Sequence, residues 1–249
     1  MDWQRTKVTN SFSENVFLVY FNELAGKYKS STLWARYSML KSTLNINNGI
    51  NIETHPKLLA FLKRKPENYD PEKAKTLTPA QIKLFLNEAP DHNYLVTKVA
   101  LILEISGACR AKELYSLTTE NFKDLGTAVL VSVLNTKNKV NRKFTIRGAF
   151  YETYRKYAKL RPTNANTDTF FLNYQSGKCT VQRIGINKFG TMGKQIATYL
   201  KLPNPELYTG HCFRRSSATL LVDAGGDKKA RWVAIYSCCR ILYRRIFTK

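Results

Sequence analysis

Residues 94–105, YLVTKVALILEI, constrain this chain more than any other segment. From residue 95 to 105 the run is apolar on nearly every side of a helix, so it cannot lie on a surface. It is too short for a bilayer, which takes about 20 apolar residues, and Lys98 and Glu104 interrupt it. The segment is therefore expected as a central buried helix with other elements wrapped around it. The chain has material for such a core: 43% of its 249 residues are hydrophobic, which excludes wholesale disorder. The length accommodates one large domain or two smaller ones.

The flanking sequence divides into two parts. Ser11-Phe12-Ser13-Glu14 has the form of a capping box, and Phe17, Tyr20, Phe21 and Leu24 follow at helical spacing. After a polar break at 27–30, a second helix is expected from about Ser31, with Leu33, Tyr37, Leu40 and Leu44 on one face and Trp34 beside it. Residues 45–51, rich in Asn and Gly, read as a loop. Pro56 suits the first turn of a third helix that carries Leu59 and Leu62. Residues 63–75, KRKPENYDPEKAK, hold two prolines and little to bury, and read as a linker or as basic residues placed against phosphates. The expected division is a helical unit over 1–70 and a larger unit over 71–249.

The larger unit opens with Thr78-Pro79-Ala80-Gln81, a second capping box with proline at the first helical position. Ser106-Gly107 ends or bends the central helix, and 110–117 reads as the next one, with Leu114 and Leu117 inward. The apolar period then changes. Residues 128–134 and 142–146 are β-branched and alternating, joined by a basic tip at 135–139, which predicts a β-hairpin. Phe150, Tyr154, Tyr157 and Leu160 return to helical spacing. Residues 170–172 read as a short third strand, and 189–200 and 216–222 as helices. The expected fold class is mainly α with a small antiparallel β-sheet (α+β).

Charge narrows the partner. Lys and Arg number 40 against 18 Asp and Glu, a formal charge of +22. That is more than solubility requires and points to a polyanion, nucleic acid before an anionic membrane. The five cysteines show no CxxC pairing, which argues against a disulfide framework and a structural zinc site, and for a reducing compartment. The first ten residues carry no apolar signal core, and a soluble chain is expected.

Known catalytic signatures are missing. There is no GxGxxG, no HExxH and no GxSxG, and GTMGKQ at 190–195 lacks the spacing of a phosphate-binding loop. Sparse, scattered acids disfavour a carboxylate-held two-metal site, so action on nucleic acid would proceed without metal. Metal-free phosphoryl transfer needs a nucleophile, cations for the non-bridging oxygens, and an acid for the leaving oxygen. Arginine suits the second role because its planar fork meets two phosphate oxygens at once. Two segments place arginine well. In GACRAKEL, Arg110 follows a glycine break and starts a helix, and Glu113 is one turn on, where it could hold that guanidinium. In GHCFRR, His211 and Arg214 are one helical turn apart. Taken singly, such residues are more often surface arginines and packed or phosphate-contacting histidines. Their order, on either side of a basic hairpin, gives them weight.

The two segments resemble the arginine boxes of the tyrosine recombinases, the phage integrase family. Gly107, Arg110, Glu113 and Leu114 match a G-x-x-R-x-x-E-L box. His211 and Arg214, followed by Ser216-Ser217-Ala218-Thr219-Leu220-Leu221, match H-x-x-R and its small, hydroxyl-rich helix. Thr136-Lys137 on the hairpin fits the family's lysine. The resemblance covers residues 11 to about 227 and has the flavour of a eukaryotic relative derived from a mobile element. It implies a helical core-binding (SAM-like) DNA-binding domain over 1–70 and a catalytic domain over 71–249. It implies that Arg110 and Arg214 hold the scissile phosphate, Glu113 orients Arg110, Lys137 protonates the leaving 5′ oxygen and His211 assists. In the tail, Trp232 stands at the family's His/Trp position and Tyr243, 29 residues after Arg214, is the first choice of nucleophile, with Tyr236 the alternative.

The tail departs from the family: the gap before Trp232 is short, the gap from Trp232 to Tyr243 is long, and the chain stops six residues later. With 14 tyrosines in the chain and seven Lys or Arg in the tail, a basic strap on DNA is the competing account of that segment. The resemblance further implies double-stranded DNA as partner, self-assembly on it as dimer to tetramer, no cofactor, no metal, no membrane, and a nuclear or otherwise intracellular location. The alternative is a domesticated or truncated relative that binds DNA without cutting it.

Overall fold

The computed structural model describes residues 11–64, 73–134 and 141–223. The chain separates into two compact units, Met1–Pro71 and Glu72–Lys249.

The first unit contains helices α1 (Glu14–Ala25), α2 (Ser30–Asn48) and α3 (Pro56–Arg64). Phe17, Phe21, Leu33, Tyr37, Leu40, Leu44, Ile52, Leu58 and Leu62 form its core. Two sequence expectations are corrected here. The segment 11–14 does not close a capping box on α1, whose N-cap is Ser13 without a side-chain bond. Glu14 instead reaches α3, where its Oε1 accepts from the Lys57 N–H (2.6 Å) and the Leu58 N–H (3.2 Å). These are free donors of a helix start, and an acid there also meets the positive end of the helix dipole. The second correction is the length of α2, which continues through Asn48 rather than stopping before Asn45. It ends at Gly49, in the left-handed region (φ 66°), where the Gly49 and Ile50 amides return to the Asn45 and Leu44 carbonyls. Asparagine costs a helix only about 0.7 kcal/mol per residue. The buried Leu44 and the glycine cap therefore decide where the helix ends.

The second unit is built around α5 (Asp91–Gly107), in which every residue from Leu95 to Gly107 is buried. It is preceded by α4 (Pro79–Glu88), which starts with a complete capping box: the Gln81 N–H donates to Thr78 Oγ1 and the Thr78 N–H to Gln81 Oε1. Lys98, one of the two buried charges in α5, is 4% exposed and paired with Asp91 at 2.8 Å. The other, Glu104, is 2% exposed. Around α5 pack α6 (Ala111–Ser116), α7 (Ala149–Ala158), α8 (Ile186–Tyr199) and α9 (Cys212–Asp223).

A three-stranded antiparallel sheet closes one side, ordered β1 (Phe122–Asp124), β2 (Ala128–Val133), β3 (Arg142–Arg147). Its register sets Val131 between Phe122 and Phe144. β3 lies directly on α5, and a Cβ at Gly107 would stand 2.2 Å from the Phe144 ring. A second antiparallel pair, β4 (Leu172–Gln175) and β5 (Lys178–Arg183), replaces the single strand expected at 170–172. Phe170 and Phe171 belong to the core before it, and Phe170 stacks on Phe122 with centroids 3.9 Å apart. The fold class is mainly α with small antiparallel sheets, two of them rather than one among the described residues. Among the described residues, no helix is long and apolar enough to cross a membrane.

Candidate functional site: an arginine cluster at the end of the central helix

α5 stops at Gly107, and Ala108 takes a left-handed conformation (φ 46°) that turns the chain away from the helix axis. Arg110 then caps α6 in extended conformation. Glu113, the third residue of α6, bonds it twice: Oε2 accepts from the Arg110 N–H (2.9 Å) and Oε1 from Nη1 (2.8 Å). The E of the first box is thus both a helix-start cap and a guanidinium holder. A third donor was not foreseen from the sequence. Arg142, the first residue of β3, places Nη2 2.5 Å from Glu113 Oε2, and both side chains are nearly inaccessible.

The second box brings its arginine to the same corner. Arg214, on the first turn of α9, donates Nη1 to the Ala108 carbonyl at 2.9 Å. The hydroxyls that follow have a role the sequence pattern left unassigned, which is to pin α9. Ser217 Oγ donates to the Ile105 carbonyl near the end of α5 (2.8 Å). Ser216 Oγ donates to the Cys212 carbonyl and accepts from the Leu77 N–H. Arg215 reaches the Ala74 carbonyl.

The approach to α9 depends on glycine. Gly193 of α8 lies under the Tyr208 carbonyl, where a Cβ would come within 2.6 Å, and Gly210 packs on Gly190. The glycines of GTMGKQ thus serve close packing, which is what that segment does instead of cradling a phosphate. His211 sits in the turn just before α9 and is exposed.

The electrostatics follow from burial and neighbours. Burial pushes the Glu113 carboxyl up, but the Arg110 amide and the two guanidiniums outweigh it and hold it below the ordinary carboxylate value. Arg214 is lowered, first by burial and then by the Arg110 charge. Glu104, behind the cluster on α5, is driven well above the usual range by burial, which the Arg214 charge only partly opposes. Burial likewise drives the fully buried Cys109 thiol far up, which leaves it neutral. Among the described residues, the corner therefore holds three guanidiniums, one carboxylate held below its ordinary value and one acid raised above it, with Arg110 and Arg214 its partly exposed members. Such a site attracts an anion. Among the described residues, no three His, Cys, Asp or Glu side chains gather as metal ligands.

The structure brings Arg110, Glu113 and Arg214 together and puts His211 at the head of the helix that carries Arg214. Lys137, Trp232, Tyr243 and Tyr236 lie outside the described residues. Sequence reasoning missed Arg142 and Glu104. Charged residues in a strand start and an apolar helix were the available signals.

A mainly helical unit that brings two arginines to the end of its central helix resembles a tyrosine recombinase. The sequence profile of the phage integrase family matches residues 75–230, and the chain belongs to that family, the tyrosine recombinases. Solved structures share the fold. The XerH site-specific recombinase bound to its palindromic difH substrate superposes with a TM-score of 0.63 and 16% identity, over 96% of this chain and 71% of its own. The Tn1549 transposon integrase in complex with transposon right end DNA gives 0.58 and 18%, over 95% and 80%. A lambda integrase dimer bound to a COC′ core site gives 0.56 and 13%, over 95% and 65%. No curated protein sequence matches this chain.

Proposed function

We propose that this chain binds double-stranded DNA and breaks and rejoins a strand without metal, through a 3′-phosphotyrosine intermediate. The observation that carries the reading is the meeting of Arg110 and Arg214 at residues 108–110, with Glu113 fixing the first guanidinium. Two arginine forks at one point suit the two non-bridging oxygens of a phosphodiester, and they meet the extra charge that develops as a fifth bond forms.

In this reading the Tyr243 oxygen attacks phosphorus and loses its proton. The bond to the 5′ oxygen breaks, and that oxygen takes a proton from Lys137. A DNA 5′ hydroxyl later reverses the step and frees the tyrosine. His211 and Trp232 contact the phosphate and assist proton transfer. The unit of α1–α3 acts as the core-binding domain, and copies assemble on DNA as dimer to tetramer. The family match, the DNA-bound proteins that share the fold and the charge of +22 support the partner. An origin in a eukaryotic mobile element and work on nuclear DNA belong to the same reading.

The test is covalent capture on nicked duplexes in denaturant, for the parent chain and for Tyr243→Phe, Tyr236→Phe, Arg110→Ala and Arg214→Ala. An adduct lost with Tyr243→Phe and with either arginine variant is expected. An adduct that survives both arginine changes overturns the site. Salt-sensitive DNA binding with no adduct from a bound site identifies instead a relative that binds without cutting, a reading favoured by the altered spacing of the tail.

A further inference from the structure

Arg142 has an arrangement that a purely structural arginine would avoid. Its side chain is 4% exposed, at the start of β3, and one nitrogen, Nη2, is spent on Glu113. Its Nε and Nη1 are buried and find no hydrogen-bond acceptor among the described residues. Burying a guanidinium with two donor positions unmet is costly, and such a group in a native fold calls for an explanation. Glu113 supplies half of one. Its two oxygens take three donors, so the acid is a junction between α6, Arg110 and the strand.

Facing Glu113 are Arg110 and the neutral Cys109 from the turn, Arg142 from β3, Arg214 from α9 and Glu104 from α5. Among the described residues, three guanidiniums stand against one carboxylate held below its ordinary value. An arriving phosphodiester neutralises part of that excess, and a phosphorus centre gaining a fifth oxygen neutralises more.

We infer that Arg142 is a positioning residue of the phosphate site: by holding the Glu113 carboxylate it aims the Arg110 guanidinium, and its unmet donors add positive field behind the phosphate. The inference rests on the proposed phosphate-handling role of Arg110 and Arg214. Arg142 itself touches no substrate. Glu113 is reached from two sides, so removing Arg142 leaves a nearly buried acid held by one partly exposed partner. Burial is then opposed by Arg110 alone, so the Glu113 value rises and its hold on the Arg110 guanidinium weakens.

The test uses the full chain, selectively carboxyl-¹³C-labelled at glutamate, with inorganic phosphate as the probe. Arg142→Met, Arg142→Lys, Arg110→Met and Glu113→Gln are compared with the parent, together with the Arg142→Met/Glu113→Gln pair. Arg142→Met is expected to raise the Glu113 titration midpoint by about one pH unit or more, the scale on which one nearby charge acts. It is also expected to weaken phosphate binding about as far as Arg110→Met does. Arg142→Lys keeps the charge and should recover most of both effects, which mere packing would not predict. In the Glu113→Gln background, Arg142→Met should change phosphate affinity less than it does in the parent, because the part that acts through Glu113 is already lost and only the field of the Arg142 charge remains. Should Arg142→Met not fold, Arg142→Gln, which keeps polar donors and loses the charge, carries the test, with a raised Glu113 midpoint and weakened phosphate binding expected and parent-like values of both overturning the inference. A parent that binds phosphate alongside an Arg142→Met chain unchanged in both readouts overturns the inference alone. A parent that binds no phosphate overturns the phosphate-site reading, and the inference with it.

Discussion

At Gly107 a single hydrogen stands where any other residue would place carbon 2.2 Å from the Phe144 ring. The glycine of the first arginine box is therefore a packing requirement of the α5–β3 contact. Gly107→Ala is expected to destabilise the second unit by about 1–3 kcal/mol, the usual cost of overpacking a core. The urea midpoint measures it, and Phe144→Leu in the same chain should restore part of the loss.

Glu104 gives a second residue-scale expectation, through pH. Burial raises its folded-state value well above the ordinary one. A raised value contributes stability that is fully present below the unfolded value, about 4.3, and is lost as pH rises through the folded value. Glu104→Gln keeps the shape and removes the titration. The variant should match the parent at acid pH and exceed it in stability at alkaline pH, as read from urea unfolding at both. A variant less stable than the parent at alkaline pH would show that Glu104 is ionised and paired in the folded chain.

Among the elements, α9 is tied to α5 by a side-chain bond near its middle, Ser217 Oγ to the Ile105 carbonyl, and to the residue that ends α5 by Arg214, which donates to the Ala108 carbonyl one turn earlier. Ser217→Ala should cost about 1 kcal/mol of stability. It should also reduce strand cleavage more than DNA binding, because it loosens the helix that aims Arg214. Equal loss of both would remove the aiming role.

What was legible in the sequence follows the same contacts. The central helix was readable because eleven consecutive positions without a polar face admit one placement. The hairpin of β2 and β3 was readable because its period is two. β5 was not: most of its residues are exposed, no alternation marks them, and the one cue was Ser176-Gly177, both at positive φ in the turn before it. The end of α2 was misplaced because an asparagine-rich turn reads as loop until Leu44 is seen buried. Arg110, Glu113 and Arg214 were legible because each box is a local pattern on one helix start. Arg142 joins Glu113 across 29 residues, and no spacing rule reaches that far.

At the scale of the whole molecule, a charge of +22 separates affinity from chemistry. Cations spread over the chain can each neutralise a phosphate, whereas Arg110 and Arg214 are two among 40. A protein that makes 6–10 phosphate contacts loses about 10³–10⁵ in affinity between about 50 and 200 mM salt, through counterion release. This chain is expected to fall in that range. Arg110→Ala should lower the slope of log affinity against log salt by about one contact's worth, roughly 0.9, and leave most of the affinity in place. On the proposed function its effect on cleavage should be far larger, because a contact to the reacting phosphate is strengthened as charge develops on phosphorus. Titrating parent and variant on one duplex across a salt series, with cleavage followed on the same samples, tests both parts. A flat salt response in the parent would exclude the phosphate backbone as the partner of the charge. A variant that lost affinity and cleavage in equal measure would make Arg110 one more backbone contact and remove it from the reacting centre.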